Sequence, residues 1–497
     1  MTRAMAKVVQ VLKPIPVWVW GSIILLLALI TRLLGLGAES AWIDEGYSIA
    51  LAKYSFADIL AGTAADQHPP LYYLLLHLWM YLGSSVSHAR MLSVFFGLIN
   101  VWQVMLLGRK IGGEWLGLVA SLLVAVNPMH IWYSQEARQY MLLAVLTTAA
   151  TYEIWVSLQG KRHWLFYGLF ALLSMYTHYF ALFILISHGL LVLFWTRWQR
   201  DKKLLLRWLV AIFGTFCLFL LWLPTAINQF LYHRMPWIAE PELGDILDVP
   251  LRLLLGSGVL LLPEWARWLG TLSLLCIFLW ATRQTWHRKQ PAPAFVFLAA
   301  WALVPYIAIS LVSIFYPLFQ FKQFLILLAP ILLLALVIAN LLPGNLKYLV
   351  LVGLFLVSLV SSAYQQTTLN KDDWRGMSEF IQSNFQAGDL IFTNPAGASL
   401  VMDIYLSTSL VIEGYPPGYD ILIGGWQGDP VTSETAAQEL SGIDASYDRI
   451  WLVEFFPDFW DPSGYLPAWL DSHARALEQR WFGKINLRLY DFTQVGP

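Results

Sequence analysis

Apolar stretches long enough, or nearly long enough, to cross a bilayer recur eleven times in the first 365 residues. They lie near 17–36, 88–108, 114–130, 137–158, 164–179, 180–196, 206–224, 264–282, 293–314, 321–342 and 346–363. A hydrocarbon core of about 30 Å takes roughly 20 residues of helix at ~1.5 Å each. This pattern commits the chain to a polytopic α-helical membrane fold. The composition agrees: of 497 residues, 58% are hydrophobic, 15% aromatic and 13% charged, against about 25% charged in soluble domains. A net charge of -1 leaves no basic excess for nucleic acid. Cys217 and Cys276 both sit in apolar runs, so no disulfide framework or zinc site is implied. The first run lacks a small-residue cleavage site after it, so it reads as a retained helix.

The apolar run 71–82 is different. At ~1.5 Å per residue it reaches only about 18 Å, which suits a helix along the interface rather than a crossing. Charge placement gives the same answer. With the N-terminus inside and 71–82 not crossing, the inside ends carry about twice as many Lys and Arg as the outside ends, as the positive-inside rule requires. A crossing at 71–82 would invert every later loop. The expected topology is therefore eleven crossings in the plasma (inner) membrane, a cytoplasmic N-terminus, and interfacial helices in the first outer loop.

Two parts follow in the chain: a membrane domain over 1–365 and an outer-side soluble domain over 366–497. The second opens with Lys371-Asp372-Asp373-Trp374-Arg375, a helix start with acids in the first turn. A helix to about Asn384, strands near 390–393 and 449–456, a helix over 469–480 and a strand over 484–491 predict a small α/β domain. No tandem repeat or low-complexity tract is visible.

Unusual polar residues collect on the outer side. The first loop holds Asp44, Glu45 and His68, the last directly before Pro69-Pro70. Arg90 starts the second crossing. The next outer turn reads Asn127-Pro128-Met129-His130-Ile131-Trp132-Tyr133-Ser134-Gln135-Glu136-Ala137-Arg138. His178 and Tyr179 end the fifth helix, Lys322 lies in the turn before the tenth, and the 225–262 loop adds His233, Arg234, Glu240, Glu242 and Asp245. Each has a plainer role available. The acidic pair can cap a helix N-terminus. His68 can be a turn residue, Glu136 and Arg138 a helix start, and Arg90 and Lys322 can snorkel to headgroups. Trp and Tyr near helix ends form an interfacial belt. The functional reading rests on convergence: acids, bases and histidines from separate loops meet on one side. Ionisable residues at the membrane suggest function by default. A carboxylate there can act as general base toward a hydroxyl or amine. Arg and Lys can hold a phosphate and stabilise its charge as it leaves. The set suits transfer of a group from a lipid phosphate to an acceptor outside the membrane.

An Asp-Glu pair after the first helix, an HPPLYY segment, an Arg about 20 residues on, a Gly-Arg-Lys inner loop and NPMHIWYSQEARQYML together resemble the glycosyltransferase C superfamily. The resemblance is to its bacterial branch related to protein O-mannosyltransferases and lipid A aminoarabinose transferases. It is specific over 40–145 and looser to about 345; the Asp-Trp-Arg tail start (373–375) also resembles bacterial members. It implies a polyprenyl-phosphate-linked sugar donor and inverting transfer on the outer face. It implies Asp44 as catalytic base with Glu45 beside it, and His68, Arg90, Tyr133, Glu136, Arg138 and Lys322 as substrate-binding residues. Lys322 departs from the family's commoner Arg-Tyr pattern.

Membrane lipids are expected partners, and the acceptor (lipid, glycan or protein) is open, as are the sugar, the prenol length, the oligomeric state and the role of the tail. No cofactor is fixed. Asp44, Glu45 and His68 have the donor atoms for a divalent metal, but their spacing matches no metal motif. Two readings from other classes stand beside the transferase. A transporter or flippase would show paired broken helices in two halves around a midplane site, which the sequence lacks. A non-catalytic membrane scaffold leaves the acidic pair and the His-Pro-Pro turn without a role.

Overall fold

The structure, a computed structural model, describes residues 16–232, 238–287, 293–368, 371–407, 410–423, 430–443 and 446–493. His233 and Arg234, and the basic residues before position 16, lie outside the described residues.

Among the described residues, seven helices are long and apolar enough to cross a membrane: Val86–Gly112, Tyr140–Leu158, Ala181–Gln199, Glu264–Trp286, Pro293–Phe315, Phe321–Ala339 and Leu346–Thr368. Two bent helix pairs raise this to as many as nine: Glu114–Val126 with Pro128–Ser134, and Lys202–Phe219 with Leu223–Tyr232. The two other expected crossings coincide with apolar helices that are shorter, Val17–Leu33 and Trp164–Met175. The chain is a multi-pass helical membrane protein with a small C-terminal sheet domain. The count of eleven is one this geometry accommodates if the short helices also cross.

Contacts divide the chain into two compact units. The first holds the described residues of Met1–Leu34, Arg90–Pro224 and Ile238–Thr368. Its core is built from Leu, Val, Ala and aromatic side chains, among them Trp155 and Trp301, whose rings both meet that of Phe297. One bend in it has a clear cause. Pro128 cannot donate to the preceding turn, so the helix ending at Val126 stops there, and the next starts with Pro at its first position. The Asn127 side chain accepts from the His130 amide at 3.0 Å, capping the new helix at 62° to the old one.

The second unit holds the described residues of Gly35–Ala89, Thr225–Trp237 and Leu369–Pro497. The first loop contributes three short helices: Ile43–Leu51, Phe56–Ala65 and Leu71–Met80. The tail forms a five-stranded sheet in the order β2-β1-β3-β5-β4, with β1 (Asp389–Asn394), β2 (Ile412–Gly414), β3 (Arg449–Phe455), β4 (Arg475–Phe482) and β5 (Ile485–Asp491). β1 runs parallel to β2 and β3, while β5 is antiparallel to β3 and β4. Alternate residues of β1 and β3 feed two cores, as a sheet covered on both faces requires. One face packs Leu390, Phe392, Ile450 and Leu452 against Leu440, Leu466 and Leu470. The other packs Ile391, Trp451 and Val453 against Trp374, Met377 and Ile381. Ala41 and Ile43 of the first loop belong to this second core, so the loop and the tail fold as one body.

The sequence places a helix over 469–480. The structure ends that helix at His473 and makes Arg475–Phe482 a strand. Residues such as Ala476, Leu477, Glu478 and Gln479 favour helix in isolation. Here a tight turn at Gly483, with φ of 70°, folds the segment back to pair along β5, and tertiary pairing overrides local propensity.

Candidate functional site

The helix Ile43–Leu51 begins one residue before the acidic pair, so Asp44 and Glu45 lie in its first turn. A carboxylate here faces the helix's unpaired N–H groups. Glu45 uses this position: its Oε2 accepts from the Trp42 amide at 3.3 Å. The capping role considered from sequence is therefore real for Glu45, but it is only part of what this side chain does. Glu45 is completely buried, and the same Oε2 lies 3.1 Å from Nζ of Lys371. Asp44 is half-buried beside it, its backbone carbonyl accepting from the Ser48 hydroxyl at 2.9 Å. His68 is half-buried, with Nδ1 3.1 Å from Asp66 Oδ2. The buried Pro69 and Pro70 follow, and the helix Leu71–Met80 starts directly after them. Asp44, Glu45 and His68 thus share the second unit.

Arg90, Tyr133, Glu136, Arg138 and Lys322 belong to the first unit. Arg90, Glu136 and Arg138 are 2%, 2% and 4% exposed. These are buried charges, which a headgroup-level snorkelling role does not explain. Glu136 and Arg138 occupy the tight turn between Pro128–Ser134 and Tyr140–Leu158, where the Arg138 amide donates to the Glu136 carbonyl at 2.8 Å. Ser93, one helical turn after Arg90, donates to the Arg138 carbonyl at 3.3 Å and so joins that turn to the helix Val86–Gly112. The Tyr133 and Tyr140 rings meet edge to face at 5.3 Å, and Lys322 Nζ stands 5.7 Å from the Tyr140 ring centre. The structure therefore brings Tyr133 and Lys322 to the ring of Tyr140, two residues beyond Arg138.

A polar network that sequence reading passed over underlies this turn. Arg32, near the C-terminal end of the helix Val17–Leu33, is fully buried. Its guanidinium donates to the carbonyls of Ala28 and Ala125 at 2.9 Å each and of Val124 at 3.3 Å. It also reaches Ser134 Oγ at 3.2 Å and His130 Nδ1 at 2.8 Å. His130 Nε2 continues to Asn100 Oδ1 at 3.1 Å, and Asn100 Nδ2 donates to Thr148 and to the Ala144 carbonyl. The sequence signal was available: an Arg inside an apolar span, with the Asn-Pro-x-His turn as its partner. Lys371 was the other residue passed over, visible in sequence only as the start of a helix.

Among the described residues, no group of three or more His, Cys, Asp or Glu gathers in metal-binding proximity. Asp44, Glu45 and His68 do not form such a group.

A protein-family profile described as dolichyl-phosphate-mannose-protein mannosyltransferase matches residues 67–224, about a third of the chain. No curated protein matches by sequence. Among solved structures, the chain is similar to ArnT from Cupriavidus metallidurans in the apo state. That similarity has 15% identity and a TM-score of 0.57, and covers 96% of this chain and 99% of that one. It is similar to the same protein bound to undecaprenyl phosphate, at 14% identity, TM-score 0.57 and the same coverage. It is also similar to the Archaeoglobus fulgidus oligosaccharyltransferase in complex with zinc and sulfate, at 12% identity and TM-score 0.55, covering 92% of this chain and 71% of that one. The chain therefore shares the fold of ArnT and of the archaeal oligosaccharyltransferase from end to end, and its residues 67–224, which hold the HPPLYY segment and the 127–138 stretch, match the mannosyltransferase profile.

Proposed function

We propose that this chain transfers a sugar from a polyprenyl-phosphate donor to an acceptor at the outer face of the plasma membrane, with inversion at the anomeric carbon. The acceptor hydroxyl or amine attacks C1, the C1–O bond to the lipid phosphate breaks, and the phosphate leaves on its lipid. The acceptor proton passes to Asp44. Arg90, Arg138 and Lys322 receive the phosphate, while His68, Tyr133 and Glu136 line the substrate. The observation that carries this reading is the end-to-end similarity to a protein solved with undecaprenyl phosphate. The family match over 67–224 and the buried charges of the 136–138 turn support it. The distribution of Lys and Arg supports eleven crossings, a cytoplasmic N-terminus and an outer-side tail after residue 365.

The direct test is to incubate purified protein in lipid with a radiolabelled undecaprenyl-phosphate sugar and envelope extract. Label moving to an extract component, with free undecaprenyl phosphate released in step, supports transfer. Intact donor appearing in the opposite leaflet of proteoliposomes without cleavage would instead make the protein a flippase. For topology, an externally active reporter fused to the C-terminus should be active; activity only in a fusion at Lys202 would overturn the proposed orientation.

A further inference from the structure

The tail is joined to the acidic pair by a set of contacts that no surface appendage needs. Lys371 Nζ pairs with Glu45 at 3.1 Å, with the two side chains 9% and 0% exposed. The Lys371 amide donates to Glu39 Oε2 at 3.1 Å. Arg375 donates to the carbonyls of Gly37, Ala38 and Glu39 at 3.3–3.4 Å. The Ser40 hydroxyl donates to the Asp372 carbonyl at 2.6 Å, and the Ala41 amide to the Tyr405 hydroxyl at 2.6 Å. Gly46, next to the pair, packs so closely on Val401 that a Cβ there would stand 2.8 Å from the Val401 Cα. Every residue from Gly37 to Ala41 is either bonded to the tail or flanked by residues that are.

From this clasp we infer that Lys371 is a positioning residue for the reaction, and that the C-terminal domain is part of the catalytic apparatus rather than an accessory. The inference rests on the transferase reading above. Lys371 touches neither sugar nor phosphate in this scheme. It neutralises the buried Glu45 carboxylate and fixes the first turn of Ile43–Leu51, and that turn sets the direction of the Asp44 side chain. A base held in place by a pre-formed pair loses no ordering entropy when the acceptor arrives. An unpaired buried Glu45 would either take up a proton or swing toward water, and Asp44 would move with it.

The test uses full-length Lys371→Met, Lys371→Arg, Glu45→Gln and the double variant Lys371→Met/Glu45→Gln, with two readouts. The first is donor kinetics. Lys371→Met should lower kcat by ~10-fold or more while KM for the donor stays within about twofold, the pattern of a lost transition-state arrangement. Lys371→Arg should recover most of the loss. The double variant should be no worse than Lys371→Met alone, because both changes break one pair. The second readout is hydrogen exchange, which needs no activity: amides of 43–51 should exchange faster in Lys371→Met than in wild type, with exchange in β1 and β3 unchanged. If exchange at 43–51 is unaltered, or if the two substitutions act additively on kcat, the clasp does not position the acids and the inference falls. If wild type itself transfers no sugar, the function proposed above has failed, and the exchange result alone decides whether the clasp orders the turn. Should Lys371→Met fail to fold, Lys371→Arg and the double variant, which buries no orphan charge, decide between the same two outcomes.

Discussion

Arg32 Nη2 lies 2.8 Å from His130 Nδ1, inside the membrane part of the fold. A guanidinium has only donors, so Nδ1 must accept, and the ring is neutral with its proton on Nε2, directed at Asn100 Oδ1 3.1 Å away. The same guanidinium closes the carbonyl end of the helix Glu114–Val126 through Val124 and Ala125. One buried cation thus satisfies a broken helix end and orients the histidine of the short helix that leads into the turn of Glu136 and Arg138.

Replacing Arg32 with Met should therefore destabilise the protein by at least ~2 kcal/mol, since several buried acceptors lose a charged donor at once. Lys, with a point charge and a shorter reach, should recover only part. Thermal unfolding in detergent measures this. A melting temperature for Arg32→Met equal to that of wild type would show that the network is incidental.

The assignment of Arg138 and Lys322 to phosphate predicts how each variant fails. Arg138→Ala should lower kcat as well as weaken the donor, because Arg can grip the leaving phosphate bidentately. Lys322→Ala should chiefly raise donor KM. Neither should change the preference between two sugars carried on the same prenol. A changed preference at unchanged donor affinity would reassign these residues to the sugar.

Glu454 makes the tail sensitive to pH. It is 2% exposed in the middle of the sheet, accepting from Asn486 at 2.8 Å, with Arg488 at 3.5 Å. Burial pushes its carboxyl up from 4.5 to about 7, against the opposing pull of Arg488 and Asn486. A raised folded value means the folded state holds the proton longer than the unfolded one. Stability from this group is therefore complete below about pH 4.5 and is lost as pH rises through about 7. The loss should be on the order of 3 kcal/mol. Hydrogen exchange across Asp389–Asn394 and Arg449–Phe455 in the full-length protein should quicken between pH 5 and 8, beyond the intrinsic chemistry of exchange. Glu454→Gln should remove that excess. An excess that survives the substitution would place its origin elsewhere.

The sequence made the membrane architecture legible because lipid imposes a coarse rule, length and apolarity, that needs no tertiary knowledge. The strands Asp389–Asn394 and Arg449–Phe455 were legible for a similar reason: both are buried and both are bounded by turns. The strand Arg475–Phe482 was not, since its helix-favouring side chains are mostly exposed and its conformation is set by pairing with β5. The acidic pair could be found from sequence, but the partner of Glu45 could not. Glu45 and Lys371 are 326 residues apart, and nothing local to either predicts their meeting. The burial of Ala41 and Ile43 in the tail's core was hidden for the same reason.

Asp44 is the acid proposed to take the acceptor's proton, and Glu45, which pairs with Lys371 and accepts from the Trp42 amide, is proposed to support it. The most direct measurement of that claim is the turnover of Asp44→Asn beside Glu45→Gln with a polyprenyl-phosphate sugar, each variant first shown to be folded. Loss of a general base costs about 10²–10⁴ in rate. Asp44→Asn should fall by that much or more, and Glu45→Gln, which removes a support rather than the base, should fall less. Near-normal turnover in Asp44→Asn, with Glu45→Gln inactive, would contradict the account and put the base on the other acid.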